Sequence, residues 1–229
     1  MSIKISYKKG ISEKVIKNYV LFSNEEFKIN GLNKLSLAKN SNQINRTVKS
    51  NKGKNKNFLS FNLNSDQKII LVSIKNKQTS LENEKKGADF YKFIKLNYIF
   101  NLTFLENNIK ETQSNNKSFL EEFIHGAQLK SYEFNKYKTK KKNEIININI
   151  SIKNKIRKIN KNNRFNALIE GTNFTRNLVS EPGNILNPDE YAKRLLKLKK
   201  DGLKITVYDE KKLKKLGCNA LLGVGQGSI

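Results

Sequence analysis

A chain of 229 residues with one histidine and one cysteine has few side chains suited to nucleophilic or nitrogen–sulfur metal chemistry. His125 sits within an apolar helical run, with no serine or cysteine motif close by in sequence. That setting favours a half-buried or surface histidine over a catalytic one. Cys218 follows a helix-ending glycine, a position that can lower a thiol pKa, but nothing marks it as a nucleophile. It reads as a small apolar filler. The same two residues exclude a zinc site of the usual nitrogen and sulfur kind. After residue 160 the acids are Glu170, Glu181, Asp189, Glu190, Asp201, Asp209 and Glu210. Most fall at helix starts or on solvated faces. They do not make the dense carboxylate cluster that a two-metal site requires.

Two further patterns invite a ligand. Gly223-Val224-Gly225-Gln226-Gly227 resembles a phosphate-binding loop, but a dinucleotide fingerprint needs G-x-G-x-x-G between a strand and a helix. The spacing here is G-x-G-x-G, so a structural turn is expected, its glycines permitting positive φ or close backbone approach. Lys138, Lys140, Lys141 and Lys142 form the candidate anion-binding patch, with Tyr132, Phe134 and Tyr137 just before it. Lysines beside aromatic rings can bind single-stranded nucleic acid. A solvated basic loop is the plainer reading. No catalytic, metal or substrate-binding residue is assigned in this chain.

The elements that would position these residues are legible as an alternation of strands and helices. Short strands are expected at residues 3–7 and 15–22, and residues 31–56, rich in Asn, Lys and Ser, read as a loop or weakly ordered stretch. Residues 58–63 alternate as a half-buried strand does. Residues 69–74 form a continuous apolar run, as in a strand covered on both faces. A helix follows over residues 84–96, then a strand over 98–105. Ser118 and Glu121 are spaced for a capping box opening a second helix. Ile146, Ile148, Ile150 and Ile152 alternate with polar residues in the cleanest period-2 strand of the chain. The first domain is expected to span residues 1–153, a mixed-sheet α/β domain.

Residues 154–229 read differently. A long helix over 161–179 stops at Pro182-Gly183. Asn187, Pro188 and Glu190 then suit the N-cap, first position and capping box of another helix, running to Gly202. A short strand is expected at 204–208, and Asp209 caps a brief helix that Gly217 ends. With a single strand, this part cannot build its own sheet.

Composition bounds the partners. Lys and Arg total 45 against 20 Asp and Glu, a formal charge of +25. Such a balance favours contact with nucleic acid or anionic surfaces. Arginine, however, occurs only at Arg46, Arg157, Arg164, Arg176 and Arg194, and nucleic-acid interfaces favour arginine for its bidentate geometry. Abundant Lys, Asn, Ile and Phe with scarce Gly and Pro also fit A/T-rich codon usage. A single cysteine agrees with a reducing compartment. Residues 1–10 lack the apolar core of a signal peptide, and no stretch approaches the ~20 apolar residues of a membrane span. A cytoplasmic, soluble protein without a membrane partner is expected.

Three stretches, in order over residues 126–228, carry a family resemblance. The first is Gly126-Ala127 with Ser131-Tyr132-Glu133-Phe134-Asn135-Lys136-Tyr137-Lys138-Thr139. The second runs from Asn177-Leu178-Val179-Ser180-Glu181-Pro182-Gly183-Asn184 through Ile185-Leu186-Asn187-Pro188-Asp189-Glu190-Tyr191-Ala192. The third is Leu216-Gly217-Cys218-Asn219-Ala220-Leu221-Leu222-Gly223-Val224-Gly225-Gln226-Gly227-Ser228. Together they resemble the leucyl (cytosol) aminopeptidases. Cys218-Asn219 stands where that family usually has Met-Gly, and glycines expected after a central strand are missing around residues 73–76.

The resemblance implies an N-terminal, macro-like α/β domain followed by the first, incomplete elements of an α/β catalytic domain at 154–229. It implies removal of N-terminal residues from peptides, Leu preferentially, with two divalent metals, manganese or zinc, in a homohexamer. The family's metal-binding and catalytic residues follow the Gly-Gln-Gly-Ser motif. The chain as it stands is therefore expected to be truncated, to bind no metal itself and to be inactive. The alternative is a basic nucleic-acid-binding module, with nonspecific contacts to phosphate.

Overall fold

The computed structural model describes residues 2–51, 57–112, 116, 118–139, 144–152 and 164–226. In chain order its regular elements are β1 (Ser2–Lys9), β2 (Asn18–Ser23), α1 (Ser41–Ser50), β3 (Phe58–Asn62), β4 (Lys68–Ser73), α2 (Ser80–Leu96), β5 (Asn101–Leu105), α3 (Glu106–Thr112), α4 (Phe119–Lys130), β6 (Ile145–Ile152), α5 (Arg164–Ser180), α6 (Pro188–Leu196), α7 (Glu210–Lys215) and α8 (Asn219–Gly225). The chain forms two compact units, Met1–Asn173 and Phe174–Ile229. The domain boundary expected at residue 153 falls outside the described residues.

The first unit is a six-stranded mixed sheet in the order β1-β6-β5-β2-β4-β3. Among the described strands β3, paired with β4, is antiparallel and the other pairs are parallel. The mixed α/β sheet expected from the sequence is therefore present. Parallel strands need crossover connections; α2 lies in the one from β4 to β5 and α4 in the one from β5 to β6. Strand periodicity explains the layering. On β4, Ile70 and Val72 enter one apolar cluster and Ile69 and Leu71 the other, so the run is buried on both faces. On β6, Ile146, Ile148 and Ile150 face the first cluster, while Asn147 and Asn149 on the opposite face are half-buried.

The first cluster is dominated by phenylalanine. Phe22 meets Phe119 edge-on at 4.9 Å and Phe123 at 5.2 Å between centroids, the geometry ring quadrupoles favour. It lies between the sheet and the pair α2–α4. Those helices touch through glycine. A Cβ on Gly87 would collide with the carbonyl oxygen of Phe123, and one on Gly126 with that of Glu84. Each glycine lets the partner's backbone come close.

The second cluster corrects the reading of residues 31–56 as a loop. Leu32, in a 3₁₀ turn, Leu35 and Leu37, flanking two such turns, and Ile44, on α1, are buried in one cluster with Tyr19, Leu21 and Leu71. The apolar residues are too sparse to show periodicity, and Asn, Lys and Ser dilute them; tertiary burial decides the structure. Residues 52–56 lie outside the described residues. The sequence also gave no hint of α3, which begins directly after β5.

The capping box expected at Ser118 is absent. Ser118 makes no side-chain cap, and its amide donates to Asn116 Oδ1 at 2.9 Å, a local turn that takes over the role. A complete box forms instead at α2. There Thr79 Oγ1 accepts from the Glu82 amide at 3.3 Å, and Glu82 Oε2 accepts from the Thr79 amide at 2.8 Å.

The second unit is helical. Asn187 Oδ1 accepts from the Glu190 amide at 2.9 Å, with Pro188 in the first turn. Glu190 does not complete a box; its carboxylate turns to Arg194. Gly202 (φ 88°) and Gly217 (φ 74°) close their helices in the left-handed region. Asp209 Oδ1 caps α7 by accepting from the Lys212 amide at 2.8 Å. The strand expected at 204–208 does not form a ladder, because no described strand lies beside it. Among the described residues, no helix is long and apolar enough to cross a membrane.

Candidate functional site

The residues singled out by sequence do not converge. Lys138 is exposed at the end of a turn; Lys140, Lys141 and Lys142 lie outside the described residues. The neighbouring aromatics are engaged locally. Phe134 and Tyr137 pack edge-on at 5.8 Å, and Lys136 Nζ stands 5.3 Å over the Tyr137 ring. Glu133, next to Phe134 in sequence, accepts from Lys95 Nζ at 2.6 Å. That bond is the first of several that hold the Glu133 carboxyl down at about 2, and it raises Lys95.

His125 is buried on α4, 5% exposed, more deeply than its sequence context implied. Its Nδ1 lies 3.0 Å from Glu84 Oε1 on α2, and its ring packs 5.1 Å from Phe165. Its Nε2 is buried and has no hydrogen-bond partner among the described residues. Cys218 is half-buried before α8 and makes no cap hydrogen bond. Gly223 and Gly225 lie within α8, not in a turn, and neither has positive φ. The expected turn is thus one more short helix, because Asn219, Ala220, Leu221 and Leu222 start it. Gly227 lies outside the described residues.

Sequence reading missed two polar centres of the first unit. Glu122 is 7% exposed and accepts from Ser80 Oγ (2.7 Å), Asn83 Nδ2 (2.7 Å) and Asn116 Nδ2 (3.2 Å). Three donors replace the water a buried carboxylate loses. The second centre stands where β2 and β5 part. β2 is followed on one side by β4 and on the other by β5, so the chain reverses direction there. In open parallel sheets this crevice, at the carboxyl ends of the strands, is where ligands bind. Here Asn108 fills it. Its Oδ1 accepts from the Phe22 amide at 2.6 Å and its Nδ2 donates to the Phe22 carbonyl at 2.9 Å. The side chain continues the ladder that β5 leaves after Phe104. Glu111, one turn on, pairs with Lys34 at 2.8 Å. Neither centre carried a motif; only the mid-helix glycines, Gly87 and Gly126, could have pointed to α2 and α4 as a close pair.

In the second unit one arginine organises the connection between helices. Arg194 Nη1 donates to Glu181 Oε1 and Nε to Glu190 Oε1, both at 3.0 Å. The Glu181 side chain is 2% exposed, against 19% for Arg194. These bonds lower the Glu190 pKa and raise that of Arg194. The unit's other acids serve as caps or lie exposed. Among the described residues no group of three or more His, Cys, Asp or Glu side chains could hold a metal ion. These residues do not fit a two-metal centre, whose ligands would have to come from elsewhere.

Comparison with known proteins locates this unit. Residues 173–229 match the model of the cytosol aminopeptidase family, catalytic domain. A probable cytosol aminopeptidase of Phytoplasma mali is 43% identical over 112 residues, 46% of this chain and 22% of that protein. One from Brucella anthropi is 43% identical over 111 residues, again 22% of its length. Among solved structures, a mutant of tomato leucine aminopeptidase superposes with a TM-score of 0.66 at 17% identity, covering 94% of this chain and 46% of that one. The bottromycin maturation enzyme BotP gives 0.57 at 14% identity, covering 89% of this chain and 41% of that one. The structural likenesses establish a shared fold. The matches take in about a fifth of the curated relatives' length and under half of the tomato enzyme's.

Proposed function

Since this chain belongs to the cytosol aminopeptidase family, we propose that it forms part of a cytoplasmic metal-dependent aminopeptidase releasing N-terminal residues, Leu preferentially, from peptides. The observation that carries this reading is the match of residues 173–229 to the family's catalytic domain. Residues 1–153 serve as the accessory α/β domain and residues 154–229 open the catalytic domain. Manganese or zinc, held by residues other than those described, would supply the Lewis-acid chemistry of such an enzyme. The assembly is the homohexamer that the resemblance implies.

The role of these residues is structural. Arg194 holds Glu181 and Glu190, fixing the turn between α5 and α6. Asn187 and Asp209 start the helices that follow. The described acids gather no metal-binding cluster; on this reading residues 1–229 alone are expected to be inactive. The test is to purify residues 1–229, supply Mn²⁺ or Zn²⁺, and follow leucine anilide hydrolysis. The expected rate is that of the metal-only control, and hydrolysis above that control overturns the assignment of inactivity.

A further inference from the structure

Lys86 carries its charge in a setting unlike that of the lysines already described. On α2 it shares a helix face with Phe90 and Phe93, so its stem is half-buried while its amine reaches outward. Phe58, the first residue of β3, stacks on Phe93 at 5.1 Å and meets Phe90 at 6.1 Å between centroids. Lys86 Nζ stands 5.9 Å from the centre of the Phe58 ring and donates to Asn57 Oδ1 at 2.9 Å. Lys34, Lys95 and Lys110 pair with Glu111, Glu133 and Glu106 at 2.8, 2.6 and 2.6 Å. Lys86 has no such ion pair among the described residues; its bond goes to a neutral amide. Lys75, exposed two residues beyond β4, sets a second positive charge near it. Burial lowers the Lys86 pKa and Lys75 adds to the lowering, against the pull of Asp89 and Glu25. Lys95, bonded to Glu133, is raised instead.

A lysine that is desolvated and set beside another cation is one whose amine becomes a nucleophile. We infer that Lys86 is a site of acylation by small acyl phosphates, with Lys75 drawing in the donor's phosphate. The arrangement supplies both halves of that reaction. Asn57 accepts one N–H, which orients the nitrogen and leaves its lone pair free once the amine is neutral. The donor's phosphate is an anion that the Lys75 ammonium attracts, whereas an uncharged acyl ester gains nothing from it. The Lys86 lone pair attacks the acyl carbon and a C–N bond forms. The bond from that carbon to the bridging oxygen breaks, and inorganic phosphate leaves with the electron pair and takes up the proton that the nitrogen sheds. Nothing is oxidised or reduced. The product is an uncharged amide on a stem still lying along Phe58, and the repulsion between Lys86 and Lys75 is gone.

The test exposes folded residues 1–229 to acetyl phosphate and follows the acetylation rate of each lysine by peptide mass spectrometry. Lys85 and Lys92, exposed on the same helix, are the internal references. Near neutral pH Lys86 should react about 3-fold faster than either or more, and its rate should level off at a lower pH than theirs. In strong urea the three lysines should react alike. The exposed-site variant Lys75→Ala should slow Lys86 about 3-fold with acetyl phosphate, and less with N-hydroxysuccinimidyl acetate, which carries no phosphate. A Lys86 rate no higher than those of Lys85 and Lys92, or a pH profile that matches theirs, overturns the proposal. So does a preference for Lys86 that survives in urea, since it would not come from the fold. Equal slowing by Lys75→Ala with both reagents overturns the part given to Lys75.

Discussion

Glu133 illustrates how a single residue couples to solution conditions. Its carboxyl is held from an ordinary 4.5 down to about 2, first by the hydrogen bond from Lys95. A carboxylate depressed on folding adds stability above its unfolded pKa and loses it as pH falls through the folded value. The window here is about pH 4.5 to 2. Both side chains are partly exposed, at 44% and 34%, so screening keeps the contribution to about 0.5 kcal/mol. Urea titrations of Glu133→Gln and the parent chain should differ by that amount at pH 7 and converge near pH 2. A gap that persists at pH 2 would refute the pairing as its source. Buried Glu122 belongs to another class: its three donors are fixed in the fold.

At the scale of elements, the crossing of α2 and α4 and the caps give contrasting expectations. Gly87→Ala puts a methyl group into the backbone of α4, and overpacking of this kind costs about 3 kcal/mol. Gly171 is also mid-helix, on α5, but a Cβ there meets nothing within 4 Å. Gly171→Ala should therefore stabilise by up to about 1 kcal/mol. Opposite signs in thermal melts of the two variants would check the close approach. Likewise Thr79→Ala should cost about 1 kcal/mol by removing a formed cap. Ser118→Ala should cost almost nothing, since Ser118 makes no side-chain cap. Both sites had the spacing of a capping box; the turn that Asn116 makes before α4 decided between them. Strong periodicity was the part of the fold that could be read in advance. The strands at β4 and β6 and the helices α2 and α4 were all legible because apolar residues recur at their period. Asn108, α1 and the buried state of His125 were not, since each depends on partners distant in sequence. The second unit's opening residues were legible through the family resemblance and the Asn187–Pro188 helix start, whereas the strand signal at 204–208 was real but unmatched by a neighbour.

For the whole molecule, two surface properties oppose each other. The net charge of +25 keeps copies apart by repulsion, while exposed apolar side chains on the second unit draw them together. Salt arbitrates. Raising the ionic strength from about 0.1 M to about 1 M shortens the screening length from about 10 Å to about 3 Å. Light scattering should then show self-association of residues 1–229 increasing with salt. A decrease would mean that ion pairs, not apolar faces, hold the copies together.

The seam between β2 and β5 narrows what the chain can be at one position. Phe22 offers its neighbour both a proton and a lone pair, and Asn108 answers with one of each. Aspartate, nearly identical in outline, would set oxygen against the Phe22 carbonyl; leucine would leave both main-chain groups dry; glutamine is a methylene too long for the same register. The twenty-letter alphabet contracts there to a single letter, spelled by the backbone of a strand 86 residues away.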